Sequence, residues 1–188
     1  MKNIYILGTP RSGKSTLASM IKEEFPKYTL ISMEAVRNGF IKALPDLNMD
    51  NRNSEARQKV FPEFVIEFAN WNKELNKNKY GNIIEGSLIN SEIAKNLLDS
   101  NDIVIFLGHN DLTNEDIIQN IMKNDRESDY THDWSYDKIK FHFGDVYQVE
   151  QENKKICEEK GFIYKDTSVN REEVFRELIG HLKMLLNK

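Results

Sequence analysis

Residues 4-IYILGTPRSGKSTLASM-20 decide the reading of this chain. Mostly apolar residues run into a Gly-rich turn, the turn closes on Lys-Ser-Thr, and a helix-like pattern begins at once. Gly8, then Gly13, Lys14 and Ser15 match G-x-x-x-x-G-K-[ST], with an expected strand before the motif and an expected helix after it. Glycines let such a loop wrap so that its backbone N–H groups point inward at phosphate oxygens, with the positive end of the helix dipole behind them. The expected phosphate cradle is Gly8, Thr9, Arg11, Ser12, Gly13, Lys14, Ser15 and Thr16. Lys14 would reach the β- and γ-phosphates as a point charge, and the Ser15 hydroxyl is placed to ligate Mg²⁺. ATP and Mg²⁺ are therefore the expected cofactors.

Working outward, apolar runs bounded by Gly, Asn or Asp recur at 3–7, 28–32, 82–85, 102–107 and 162–165. Their lack of strict alternation suits strands covered on both faces, as in a parallel sheet. Between them lie helical periods. Phe61, Phe64, Val65, Phe68, Trp71 and Leu75 form one expected stripe against the sheet, and Val174, Phe175, Leu178, Ile179 and Leu182 form another. Thr113 before Asp116, and Asn170 before Glu173, read as helix caps. Strand and helix alternate, which predicts an α/β fold with right-handed crossovers.

The 188 residues are expected to form a single domain over 1–188. Two polar stretches interrupt the alternation. Residues 45–59 are read as an acceptor-side cover and 123–138 as a lid segment, because ligand-gating elements come from the thinly packed parts of a fold. A net charge of −4 argues against non-specific nucleic-acid binding. One cysteine, Cys157, and the lack of a long apolar run point to a soluble, cytoplasmic protein without a membrane span.

A phosphate loop does not name a reaction. GTP-binding switch proteins carry D-x-x-G and N-K-x-D after later strands, whereas here those places read 85-EGSL-88 and 108-GHND-111. Pro10-Arg11-Ser12-Gly13 is also similar to the donor loop of sulfotransferases, but Lys14 followed by Ser-Thr favours a metal-bound triphosphate. The chain is also too short for a large mechanical ATPase. What remains is a small phosphotransferase.

The chain resembles the nucleoside monophosphate kinase-like group of P-loop small-molecule kinases, which includes adenylate, shikimate and gluconate kinases. Four places carry the likeness: 8-GTPRSGKST-16, 31-ISMEAVR-37, 83-IIEGS-87 and 166-DTS-168. The resemblance implies a three-layer P-loop fold with a five-stranded parallel sheet, ATP and Mg²⁺, an acceptor site after the second strand, and a small lid carrying arginine. It also implies a small-molecule phosphoryl acceptor as the partner: a nucleotide, a nucleoside or a hydroxylated metabolite.

Glu34 and Arg37, three apart just past a strand, fall on one helix face at the carboxyl edge of the sheet, where ligands bind. The resemblance implies an acidic residue at Glu34 that touches an acceptor hydroxyl or ribose, where similar proteins have the shorter Asp, and an arginine at Arg37 that holds the acceptor's anionic group. Glu85 closes an apolar strand, where a carboxylate is costly unless it faces a metal, a cation or water. It reads either as a Mg²⁺ ligand through water or as the base for an attacking hydroxyl. Arg126 in the lid segment would stabilise charge on the transferred group as water is expelled. The 166-DTS-168 turn is expected near the adenine edge. The competing reading is a nucleotide-binding regulatory module with weak or no ATP hydrolysis.

Overall fold

The computed structural model describes residues 1–109, 112–123, 125, 127 and 131–186. The strands are β1 (Ile4–Gly8), β2 (Tyr28–Ser32), β3 (Gly81–Glu85), β4 (Ile103–Gly108) and β5 (Ile163–Asp166). They form one parallel sheet in the order β2-β3-β1-β4-β5. The helices are α1 (Lys14–Glu24), α2 (Met33–Ala43), α3 (Phe61–Leu75), α4 (Ser91–Leu97), α5 (Asn114–Lys123), α6 (Tyr136–Phe143), α7 (Val146–Lys160) and α8 (Arg171–Leu186).

Alternation along β1 divides the core into two layers. Ile4 and Ile6 pack with Leu17, Ala18 and Ile21 of α1 and with Phe175, Leu178 and Leu182 of α8. Tyr5 and Leu7 face the other way, into a cluster with Phe61 and Val65 of α3, Ala94 of α4 and Cys157 of α7. Helices on both faces bury every central strand, so the expected uninterrupted apolar runs have a physical cause. In sheet order β1 and β4 are neighbours, and the crossover after β1 runs toward β2 while the one after β4 runs the opposite way to β5. The loop after β1 therefore sits at the switch point where open α/β sheets bind ligands.

Two expectations are corrected here. The stripe on α3 is rotated: Phe61, Val65, Ile66 and Ala69 are the buried residues, whereas Phe64, Phe68, Trp71 and Leu75 are exposed. The helix is apolar on two sides, so periodicity could not say which side meets the sheet. At α8, Asn170 has φ of 51° and holds the first turn through its carbonyl, which accepts from the amides of Glu173 and Val174. The cap at α5 follows expectation. Thr113 N and Oγ1 donate to Asp116 Oδ2 at 2.9 and 2.6 Å, and Asp116 N donates back to Thr113 Oγ1 at 3.2 Å.

The stretch 45–59 holds a 3₁₀ turn (Pro45–Leu47), a buried Met49 and a π-helical turn (Ala56–Val60) that runs straight into α3. Within 123–138, α6 begins at Tyr136, and Trp134 and Tyr136 pack on a small core of Ile117, Ile118, Ile121, Ile139, Phe143 and Val146. Among the described residues no helix is long and apolar enough to cross a membrane.

Candidate functional site

The first turn of the chain is built as a cradle. Gly8 has φ of 119°, and a Cβ there would meet the Leu107 carbonyl oxygen at 2.0 Å. Gly13, with φ of 88°, leads into α1, whose first amides have no intrahelical partner. Four contacts fasten the loop, one within it and three from outside. Ser12 Oγ donates to the Thr9 carbonyl at 2.8 Å, Thr167 Oγ1 to the Ser12 carbonyl at 2.9 Å, and Arg171 Nη2 to the Arg11 carbonyl at 3.1 Å. His109 Nε2 lies 3.2 Å from the Pro10 carbonyl, which can only accept, so that nitrogen carries the proton. Burial lowers the His109 pKa, against the opposing pull of that hydrogen bond, and keeps the ring neutral.

Lys14 is buried with its ammonium donating to the Thr9 carbonyl at 2.6 Å. Loss of hydration brings its pKa down to about 8, while the carboxylates of Glu34 and Glu85 act in the opposite direction. Ser15 Oγ donates to Glu85 Oε2 at 3.1 Å, and Glu85 is only 6% exposed. The register that sets Glu85 beside Ile6 and Ser32 brings that carboxylate to the carboxyl edge of β1 and β2. Ser15 and Thr16 are exposed at the first turn of α1.

Glu34 and Arg37 stand on the first turn of α2 and line a cavity of about 470 Å³ that opens beside the loop. Glu34 Oε1 accepts from Ser87 N at 3.4 Å and Ser87 Oγ at 3.3 Å, and Glu34 Oε2 lies 2.7 Å from where a Cβ on Gly86 would sit. Arg52 and Arg57 line the same cavity. Burial, and then the positive charges of Arg37 and Arg52, lower the Arg57 pKa. Among the described residues none of these three arginines has a carboxylate within ion-pair distance. Neutral acceptors hold them at the cavity: Arg37 Nη2 donates to Asn38 Oδ1 at 3.1 Å, Arg52 Nη1 to the His142 carbonyl at 3.3 Å and Arg57 Nη1 to the Asp50 carbonyl at 3.2 Å.

A second cavity, about 380 Å³, lies on the other flank of the loop, lined by Arg11, His109, Leu112, Ile117, Ser168 and Arg171 among others. The 166-DTS-168 turn, tied by Ser168 N and Oγ to Asp166 Oδ1 at 2.8 and 2.6 Å, forms part of its wall. Arg11, expected on phosphate, turns outward: its Nη2 donates to Asp125 Oδ1 at 2.7 Å and Thr131 Oγ1 at 2.9 Å. This ties the loop to the 123–138 segment. Arg126 lies outside the described residues.

Sequence reasoning missed Glu150. It is fully buried on α7, and its Oε1 accepts from Thr9 Oγ1 at 2.6 Å and from His109 N at 2.7 Å. Desolvation raises its pKa, partly countered by those two donors. Arg52 and Arg57 were visible only as members of a polar stretch, because the cavity that gives them a common target forms only when 45–59 folds against α2.

No family model matches the chain, and no curated protein matches it by sequence. Its fold has many solved counterparts. A gluconokinase from Sinorhizobium meliloti 1021 superposes with a TM-score of 0.62 at 13% identity, covering 98% of this chain and 93% of that one. A shikimate kinase from Acinetobacter baumannii, in complex with shikimate, gives 0.60 at 15% identity over 100% and 94%. A shikimate kinase from Aquifex aeolicus vf5 gives 0.57 at 21% identity, over 96% of both chains. With its β2-β3-β1-β4-β5 parallel sheet and with neighbours of this kind over nearly its whole length, the chain has the three-layer fold of the P-loop small-molecule kinases.

Proposed function

We propose that the protein transfers the γ-phosphoryl group of ATP to a hydroxyl of a small anionic molecule. One observation carries this reading: a cavity lined by Arg37, Arg52 and Arg57, with no carboxylate paired to them among the described residues, opens directly beside the phosphate loop. Like charges gathered around an open space call for an anion, and the planar arginine fork meets two oxygens of a carboxylate or phosphate at once.

The roles divide along the loop. Amides of the Gly8–Gly13 turn and the start of α1 hold the phosphates, and Lys14, already partly desolvated, exchanges the Thr9 carbonyl for a phosphate oxygen. Ser15 and Glu85, 3.1 Å apart and both oxygen donors, suit a hard cation that keeps most of its ligands as water and phosphate. Among the described residues no larger His, Cys, Asp or Glu cluster could hold a metal, which fits a Mg²⁺ brought in with its nucleotide. Bound there, Mg²⁺ would neutralise developing charge on the phosphates. The second cavity, beside Ser168 and His109, takes the base.

Glu34, held by Ser87 through Oε1, lines the acceptor cavity, whereas Glu85 does not. Glu34 is therefore assigned as the base. The acceptor oxygen bonds to the γ-phosphorus as the bond from that phosphorus to the bridging oxygen breaks; the electron pair leaves with ADP and the hydroxyl proton passes to Glu34. Arg126 is assigned to the closing lid on the sequence pattern alone. Catalysis of this kind is mostly positioning and charge stabilisation.

Lys14→Ala tests the site. ATP consumption by the unaltered protein should be nearly silent until pooled anionic acceptors are added, and Lys14→Ala should reduce the acceptor-dependent rate roughly 100-fold or more while thermal melting stays cooperative. An undiminished rate, or consumption indifferent to every acceptor, overturns the proposal.

A further inference from the structure

The acceptor cavity has two unlike sides. Glu34, Arg37, Arg52 and Arg57 make one of them. The other is made by Leu88, Ile93, Phe106, Phe143, Val146 and Val149, drawn from β4, α4, α6, α7 and the loop after β3. No hydrogen-bonding side chain lies among those six. Hydroxyl groups of a polyhydroxylated acceptor that fall against those six residues gain no partner from them, and each unpaired buried hydroxyl weakens binding. An apolar body gains by leaving water for the same walls.

Ser87, Asn90, His142, Asp145 and Asn153 interrupt this apolar lining. Asn153 on α7 lines the cavity, is 3% exposed, and its Oδ1 accepts no hydrogen bond among the described residues.

We infer that the acceptor is an amphipathic anion with three parts: an oxyanion met by Arg37, Arg52 and Arg57, a compact apolar body against the Leu88–Val149 side, and a single hydroxyl. That hydroxyl is met by Glu34. The volume of about 470 Å³ is ample for a monocyclic or branched aliphatic body. The identity of the hydroxyl as the phosphorylated group rests on the kinase reading above; the shape and polarity of the site do not.

The test is a binding panel with three probes. Para-(hydroxymethyl)benzoate and para-(hydroxymethyl)phenyl phosphate share the apolar ring and differ in oxyanion. Gluconate carries a carboxylate on a polyhydroxylated body. Each is titrated by calorimetry, with and without Mg²⁺ and a non-hydrolysable ATP analogue. At least one aromatic probe is expected to bind tenfold or more tighter than gluconate, and the better aromatic probe identifies the oxyanion.

Val149→Asn places an amide on the half-exposed part of the apolar side without touching the core. It should cost that aromatic probe several-fold in affinity and leave gluconate unchanged. Arg57→Gln should weaken all three. Gluconate binding as tightly as the aromatic probes, or no aromatic probe binding at all, overturns the inference. The nucleotide-free arm reads the cavity independently of the kinase reading, because failure of the ATP analogue to bind would sink that reading and leave the probe ranking standing.

Discussion

Helices α3 and α7 carry the same spacing with opposite outcomes. Phe64, Phe68, Trp71 and Leu75 on α3 recur at i, i+4, i+7 and i+11, and so do Val146, Glu150, Asn153 and Cys157 on α7. The apolar series is exposed, from 40% at Phe64 to 78% at Leu75, while every member of the mixed series is buried. Hydropathy would have ranked them the other way. The difference teaches that the sheet takes its packing partner by geometry and leaves surplus apolar surface outside. Polar groups are admitted to the interior where each finds a defined partner. Glu150 finds Thr9 and His109, while Asn153 is buried at the wall of the cavity.

The largest effect that would sharpen this contrast comes from the inward side of α3. Phe61 is buried and meets Phe40 edge-on, with ring centroids 5.7 Å apart at 88°. Phe61→Ala should destabilise the fold by about 3–5 kcal/mol, through lost transfer energy and the cavity left behind. Denaturant melting reads this directly. A loss as small as that of a surface change would mean that α3 does not press on the sheet through this side.

Next in size is Glu150. Glu150→Leu leaves Thr9 Oγ1 and the His109 amide without their acceptor, at about 1–3 kcal/mol, and loosens the loop that Thr9 belongs to. Glu150→Gln keeps a carbonyl acceptor of the same reach, so it should restore the loop and separate hydrogen bonding from charge. The pH dependence follows from the direction of the shift. A carboxyl raised above its ordinary value of 4.5 holds its proton more tightly in the folded protein. Its stabilising contribution is therefore complete below that value and is lost as pH rises through the raised one. Melting temperatures of Glu150→Gln and the unaltered protein should lie close together near pH 4, with the variant gaining on the parent toward pH 8. A gap that is constant across this range would show that Glu150 does not titrate on unfolding.

The same contrast explains what could be read in the sequence. The strands were legible because each is a short apolar run between Gly, Asn or Asp, and burial on both faces writes that pattern into every residue. Lys14 and Ser15 were legible because the phosphate loop is a local motif with fixed spacing. Glu34 and Arg37 followed from where β2 ends. Helix α7 carries no apolar stripe to find, because half of its buried face is Glu150 and Asn153. Those residues are buried by partners far along the chain: 141 positions separate Thr9 from Glu150. The convergence of Arg37, Arg52 and Arg57 was hidden for the same reason. A shared cavity is a property of the folded chain, and neither composition nor period encodes it.

The smallest effect belongs to the outward side of α3, and it is where the comparison is most easily broken. Trp71 is 60% exposed, so most of its ring is already in water in the folded state and little transfer energy depends on it. Trp71→Glu should shift stability by no more than about 0.5 kcal/mol, despite replacing the largest apolar residue on the helix with a charge. Glu150→Leu, which makes α7 more apolar, is expected to cost more. If Trp71→Glu proved the more damaging of the two, hydropathy would have ranked the helices correctly, and the division between inward and outward sides of α3 would have to be redrawn.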